Sequence, residues 1–327
     1  MTRRVIYLFS LLALVHAGFC LLCAQQQTPC IALLSELRGA VFVKAEGEKE
    51  FRKAPWGTQL RAGDIVQTSS EGSASILLSN NVLLNIGPGS NITISDEMSR
   101  GKDDPQPLSK VNAYNAVDLS NLIVRTTGNG KGIALAGLRG ANPDSSLLQI
   151  SPRNTTIRST TPAFAWHCGF QAERFKITVY DARGRLWEAV TSDTTIVYPK
   201  DTKRLNNGEK YSWMVEGTVG VKKFRSPRMR FDVLSRKNVD VLENKERRIQ
   251  ESLSSDSVGT TRYFVLGRLY RQYGLLQESV EQFEAIANHN PDSPTVYQVL
   301  ARLYNELGFK EKAAFALEKA INLGQGL

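Results

Sequence analysis

Between Leu37 and Ile94 the chain reads LRGAVFVKAEGEKEFRKAPWGTQLRAGDIVQTSSEGSASILLSNNVLLNIGPGSNITI. Strand-sized apolar runs recur at Ala40-Val41-Phe42-Val43, Ile65-Val66, Ile76-Leu77-Leu78, Val82-Leu83-Leu84 and Ile92-Thr93-Ile94. Gly39, Gly63-Asp64, Gly72, Asn80-Asn81 and Gly87-Pro88-Gly89 cut them apart. Short β-forming runs bounded by such residues predict a small all-β module. Asp64 follows a turn glycine, where an Asp carboxylate bonds nearby backbone amides.

The positions Gly39-x-Val41, Trp56-Gly57-x-x-Leu60-x-x-Gly63-Asp64-x-Val66-x-Thr68, Ser73-Ala74, Ile76-Leu77-Leu78 and Leu84-x-Ile86-Gly87-Pro88-x-Ser90 together resemble the FecR-type periplasmic domain, over residues 36–98. The family usually has an Asp-Gly hairpin where this chain has Asn80-Asn81. Asn tolerates positive φ better than most residues, so a tight turn survives the change. The resemblance implies a non-catalytic β domain in the cell envelope and supplies no ligand.

Residues 1–24 look like a secretory signal. Arg3 and Arg4 precede the apolar run Val5 to Val15, and Leu22-Cys23-Ala24 offers a cleavage site before Gln25. An uncleaved signal would instead anchor the chain in a membrane, since Val5 to Cys23 is nearly long enough to span one. Lipoprotein processing is disfavoured, because Phe19 precedes Cys20 and Leu22 precedes Cys23. With the signal removed, Cys30 and Cys168 remain. They belong to different modules, so no mutual disulfide is expected. His16, His167 and His289 show no ligand spacing. His167 and Cys168 are neighbours in one strand and point to opposite faces, which disfavours a shared metal.

Gln25 to Ser35 reads as a lead-in segment, and residues 99–158 as a linker with a helix and short strands. Ser99 to Leu108 is polar with two prolines. Lys110 to Val124 has helical apolar spacing. Gly128, Gly130 and Gly132 form a turn that lacks the spacing of a phosphate loop. Ile133 to Gly140 and Leu147 to Ile150 look like connecting strands.

Residues 159–236 predict a second β domain. Phe164 and Trp166 alternate, as do Phe175, Ile177 and Val179, then Tyr211, Trp213 and Val215, then Met229, Phe231 and Val233. With Leu186 to Val190, Ile196 and Tyr198, these fit a two-sheet, immunoglobulin-like sandwich of about seven strands. Leu205-x-x-Gly208-x-x-Tyr211-x-Trp213-x-Val215 and the opening Thr161-Pro162-x-Phe164-x-Trp166 resemble the fibronectin type III fold. In that reading Tyr211 bonds its hydroxyl to nearby backbone.

The last segment repeats itself. Tyr263 and Tyr297, Leu266 and Leu300, Tyr270 and Tyr304, Gly274 and Gly308, and Phe283 and Leu317 are each 34 residues apart. This period, with Leu266-Gly267-x-x-Tyr270 and Pro291, resembles the tetratricopeptide repeat. Residues 260–327 would hold two repeats, with Gly274 and Gly308 closing the first helix of each. Ser279 stands where the repeat prefers Ala, and Gln325 where it prefers Pro. Lys237 to Leu253, within residues 237–259, reads as a bridging helix. The predicted fold class is therefore multidomain β plus α.

Chemistry is sparse. No Gly-x-Ser-x-Gly or His-Glu-x-x-His occurs, and the Cys-x-x-Cys at Cys20 to Cys23 lies in the signal with no second one to pair with it. No enzyme activity, cofactor or metal is expected. Asp103-Asp104 reads as a solvated loop. The net charge is +9, of which Arg3 and Arg4 carry two. That is too modest to indicate nucleic-acid binding. Lys222, Lys223, Arg225, Arg228 and Arg230 cluster in the sandwich, where 14 Lys and Arg face 8 Asp and Glu; from Thr260 onward the balance is 7 to 7. Charge on an edge strand protects against aggregation. The sharper reading is contact with an acidic envelope polymer or a membrane surface.

The last helix carries Ala313, Ala314, Leu317, Ala320 and Ile321, more apolar positions than one neighbouring helix covers. With two repeats and no following cap, Ala313, Leu317 and Ile321 are expected to dock a protein partner or a second copy. The function expected is that of a non-enzymatic, exported bacterial envelope scaffold in the periplasm. The alternative is a FecR-type signalling regulator of envelope stress or sigma-factor activity. That role needs a cytoplasmic domain, and four residues ahead of the apolar run would not supply one. A wall-modifying enzyme would need a site that these motifs lack.

Overall fold

The computed structural model describes residues 29–80, 82–100, 147–202, 204–253 and 260–325. The expected signal, Asn81, Asp103-Asp104, the helix at Lys110 to Val124, the glycine-rich turn and the strand at Ile133 to Gly140 lie outside the described residues. What is described is a multidomain β plus α protein.

Two four-stranded antiparallel sheets form the N-terminal β domain. One contains β1 (Ala32–Arg38), β4 (Gln59–Leu60), β6 (Ser73–Leu78) and β7 (Leu83–Ile86), ordered β4-β1-β6-β7. The other contains β2 (Val41–Lys44), β3 (Arg52–Lys53), β5 (Ile65–Thr68) and β8 (Asn91–Thr93), ordered β3-β2-β5-β8. A short helix, α1 (Asp96–Arg100), follows. Asp64 accepts from the backbone amides of Glu46 and Arg61 at 3.1 and 2.8 Å, as its turn position implies. Ala32 to Ser35, expected as part of a lead-in, belong to β1, the strand that joins this domain to the rest.

The sandwich begins earlier than residue 159. β9 (Leu147–Ser151) pairs with β11 (Ala163–Cys168), which also pairs with β14 (Thr195–Val197). The second sheet is ordered β10-β17-β15-β12-β13, from β10 (Thr155–Ile157), β17 (Met229–Val233), β15 (Lys210–Val219), β12 (Arg174–Asp181) and β13 (Gly184–Thr191). β16 (Lys222–Arg225) takes the far half of β15's edge. Leu147 to Ile150 is thus a sandwich strand and not a connector. The alternating aromatics meet in one core around Phe164, Trp166, Trp213 and Phe231. The amide of Asn206 donates to the Tyr211 hydroxyl at 2.8 Å, which pins the loop ahead of β15.

The C-terminal part is helical: α2 (Arg236–Ser252), α3 (Thr260–Gln272), α4 (Leu276–His289), α5 (Pro294–Leu307) and α6 (Lys310–Gln325). Ser235 caps α2, its side chain accepting from the Asn238 amide. Gly274 and Gly308 follow α3 and α5 at φ of 73° and 83°, the left-handed turn that glycine adopts without strain. Ser279, unexpected in a position suited to Ala, donates its buried hydroxyl to the Gly267 carbonyl at 2.8 Å. Among the described residues, no helix is long and apolar enough to cross a membrane.

Candidate functional site

The strand β1 is buried on both faces. Its alternate residues Ala32 and Leu34 enter the β domain's own core, together with Ile76 and Leu78. Leu33, with Leu77 of β6, enters the core of the helical module instead. A strand covered on both sides reads as a continuous apolar run and not as alternation. Ile31 to Leu34 and Ile76 to Leu78 carry that signal.

The junction is also polar and specific. The Ser35 carbonyl accepts from the Trp56 indole N–H at 2.8 Å and from the Thr260 hydroxyl at 2.9 Å. The Thr261 hydroxyl donates to Ser35 Oγ at 3.0 Å. At the start of α5 the Ser293 hydroxyl donates to the Trp56 carbonyl at 2.6 Å. Trp56 is 1% exposed, within the helical module's core. Gly57 follows at φ 80°, and a Cβ there would lie 2.8 Å from the Thr295 side chain. The β domain therefore covers the N-terminal ends of α3 and α5.

The sandwich holds the opposite ends of the same two helices. Arg153 donates from Nε to the Leu307 carbonyl at 2.8 Å, from Nη2 to the Gly308 carbonyl at 2.9 Å and from Nη1 to the Gln149 carbonyl at 3.1 Å. Its guanidinium lies 4.8 Å from the centre of the Phe309 ring. Asn154 donates to Leu307 as well. These donors satisfy carbonyls that a helix C-terminus leaves unpaired, and the positive charge suits that end of the helix dipole. Burial lowers the pKa of Arg153 from its ordinary value. One turn away, the Thr155 hydroxyl donates to the Gly274 carbonyl and accepts from the Leu276 amide, while the Thr156 amide also donates to Gly274. The Trp213 indole holds this segment to the sandwich by donating to the Pro152 carbonyl at 2.7 Å.

A third fastening is ionic. Arg158 makes two bonds to Glu246 of α2, at 2.9 and 2.7 Å, and faces the Tyr270 ring at 5.0 Å. A groove of about 610 Å³ opens beside it, lined by Arg158, Arg204, Asn206, Arg236 and Glu243 among others. Two of its arginines are engaged, Arg158 by Glu246 and Arg236 by Asp240.

The five basic residues named from sequence divide by strand parity. Arg225 and Lys223 lie on the outer face of the sheet and both reach Glu216, at 2.6 and 3.4 Å. The bond from Arg225 is the main cause that holds the Glu216 carboxyl below its usual range. Arg228 stacks 3.8 Å from the centre of the Tyr180 ring. Arg230 opposes Ser212 on the same face and is exposed. Arg174 and Lys176 of β12, which sequence reasoning passed over, share this face by register. Lys222 sits apart, at the exposed turn between β15 and β16. Among the described residues no strand pairs with the outer edge of β16.

On α6, Ala313 and Leu317 are partly buried against the helical core, and Ala316 and Ala320 lie within it. Ile321 is 44% exposed. Phe315, not singled out from sequence, is 69% exposed. Cys30 and Cys168 are free thiols. Among the described residues no cluster of His, Cys, Asp and Glu could hold a metal ion.

No family model and no curated protein matches the chain. A solved structure described as a cell surface anchoring domain aligns with 25% identity over 23% of this chain and 99% of its own, at a TM-score of 0.21. So low a score carries no argument about fold or function.

Proposed function

We propose that this chain is a non-enzymatic, exported envelope scaffold of the FecR and tetratricopeptide kind. Its helical module serves protein contacts, and its sandwich presents a basic face to an acidic partner. The observation that supports this reading is the double fastening of α3 and α5. Trp56 and Ser35 hold one end, and Arg153 and Thr155 hold the other. Two β domains fixed to one helical body keep their outward surfaces at a set separation, which suits a bridge between partners. Export rests on Arg3, Arg4 and the apolar run behind them.

The test uses the chain from Gln25 onward, with its envelope extract as the source of partners. Replacing Lys222, Lys223 and Arg225 with Gln should lower retention on acidic wall polymer or anionic vesicles and leave protein capture unchanged. Replacing Ile321 with Glu should do the reverse. Hydrolysis of wall saccharide or peptide by the purified chain would overturn the reading, as would finding it in the cytoplasm.

A further inference from the structure

At the end of the sandwich away from the helices, β15 and β16 meet in a two-residue turn, Gly220-Val221. β15 starts at Lys210, whose neighbourhood adjoins α2, and runs ten residues to Val219. At about 3.3 Å per residue its tip stands roughly 30 Å from that junction. Val221 is 98% exposed at the tip, with Val219 36% and Phe224 38% exposed beside it. Lys222 and Lys223 follow the turn on β16, Lys223 on the outer face within 3.4 Å of Glu216, and register brings Arg174 opposite Thr218 to the same end.

Two contacts keep this tip in shape. The Gly220 amide donates to Glu173 Oε1 at 2.8 Å. The Phe224 ring meets Phe170 with centroids 4.6 Å apart. The β11–β12 loop thus buttresses the hairpin from below and leaves Val221 facing solvent. Glu173 is engaged in that bond, Glu216 is engaged by Lys223 and Arg225, and among the described loop residues at this end Asp193 is the other acid. An isolated exposed valine is ordinary. A braced tip that projects valine just ahead of two lysines, with aromatic support and Arg174 nearby, has the chemistry of an interfacial membrane contact.

We infer that the Val221 hairpin seats in the headgroup region of an anionic lipid bilayer, with Val221 entering the interface, Lys222 pairing with a lipid phosphate and Lys223, beside Glu216, adding positive charge to the approach. This deepens the proposed function by choosing lipid over a wall polymer as the acidic partner. A soluble polyanion would engage the lysines and gain nothing from Val221, which separates the two.

The chain from Gln25 onward, which retains every described residue, is sedimented with phosphatidylcholine vesicles and with phosphatidylcholine–phosphatidylglycerol vesicles at physiological salt. Binding is expected to the anionic vesicles alone. Val221→Ser should weaken it about tenfold by removing apolar contact. Lys222→Gln with Lys223→Gln should weaken it about 25-fold, at about fivefold for each basic residue near such a surface. Circular dichroism checks that the variants remain folded, as expected for exposed positions. If Val221→Ser binds like the parent while the lysine variant is weakened, the insertion is wrong and the acidic-partner reading stands. If the parent ignores anionic vesicles but is retained on acidic wall polymer, lipid is the wrong partner. If it binds neither, the acidic-partner reading falls as well.

Discussion

The indole of Trp56 meets the ring of Phe264 edge-on, with centroids 5.7 Å apart and planes at 72°. The pair joins the N-terminal β domain to α3 across more than 200 residues of chain. Edge-to-face pairs of this kind add about 0.5–1.5 kcal/mol beyond the area they bury. Trp56 also contributes its N–H to the Ser35 carbonyl, so truncation removes volume, ring contact and hydrogen bond together. Trp56→Ala should therefore destabilise the chain by about 3–5 kcal/mol. Calorimetry should show the β domain melting ahead of the helices. An unchanged trace would mean that the two bodies do not depend on this contact.

Arg153 serves three carbonyls with one planar group. Lysine keeps the charge but lacks the fork geometry. Arg153→Lys is expected to lose about 1.5–3 kcal/mol, the scale of a hydrogen bond to a charged group. Arg153→Ala should lose at least as much. Urea midpoints measure both. A lysine variant as stable as the parent would show that charge at the helix end is enough.

The parts of the fold legible in sequence were those with a local period. The 34-residue repeat placed Gly274 and Gly308, and alternation placed Phe175, Ile177 and Val179 in a sheet. Tyr211 was legible because its bond is to backbone five residues away. The fastenings were not. Ser35, Thr260, Thr261 and Ser293 are small polar residues with no pattern of their own, and their partners are set by tertiary packing. Arg153 and Asn154 looked like ordinary loop residues, since nothing local shows that they face helix carbonyls. Ile31 to Leu34 did carry a sign, an unbroken apolar run, which marks a strand covered on both faces.

The Arg158 junction should make stability depend on alkaline pH. Burial, followed by the nearby Glu246 carboxylate, pushes the Tyr270 phenol up to about 12. The unfolded phenol titrates near 10. The folded state thus favours the neutral phenol. This contribution is fully present below about pH 10 and is lost as pH rises through about 12. Comparing urea midpoints of the parent and Tyr270→Phe between pH 9 and 12 isolates the effect from other tyrosines. The parent should fall more steeply, and equal slopes would remove Tyr270 from the account.

The last helix separates two roles that the sequence ran together. Leu317 and Ala313 pack toward the helical core, whereas Ile321, one turn beyond Leu317 on the same face, is largely open to solvent. Phe315 is open too, on a face shared with Glu318 and Asn322 by helical spacing. Leu317→Glu should cost about 2 kcal/mol or more, because it places a charge against apolar neighbours, and should loosen the helical signal. Ile321→Glu and Phe315→Ser should each stay within about 0.5 kcal/mol, as surface substitutions do. If the exposed face of α6 docks a second copy or a repeat-bearing partner, Ile321→Glu will abolish association seen by sedimentation while circular dichroism stays unchanged. Phe315→Ser then reports whether that interface extends around the helix. Association that survives both variants would place the protein contact elsewhere on the molecule.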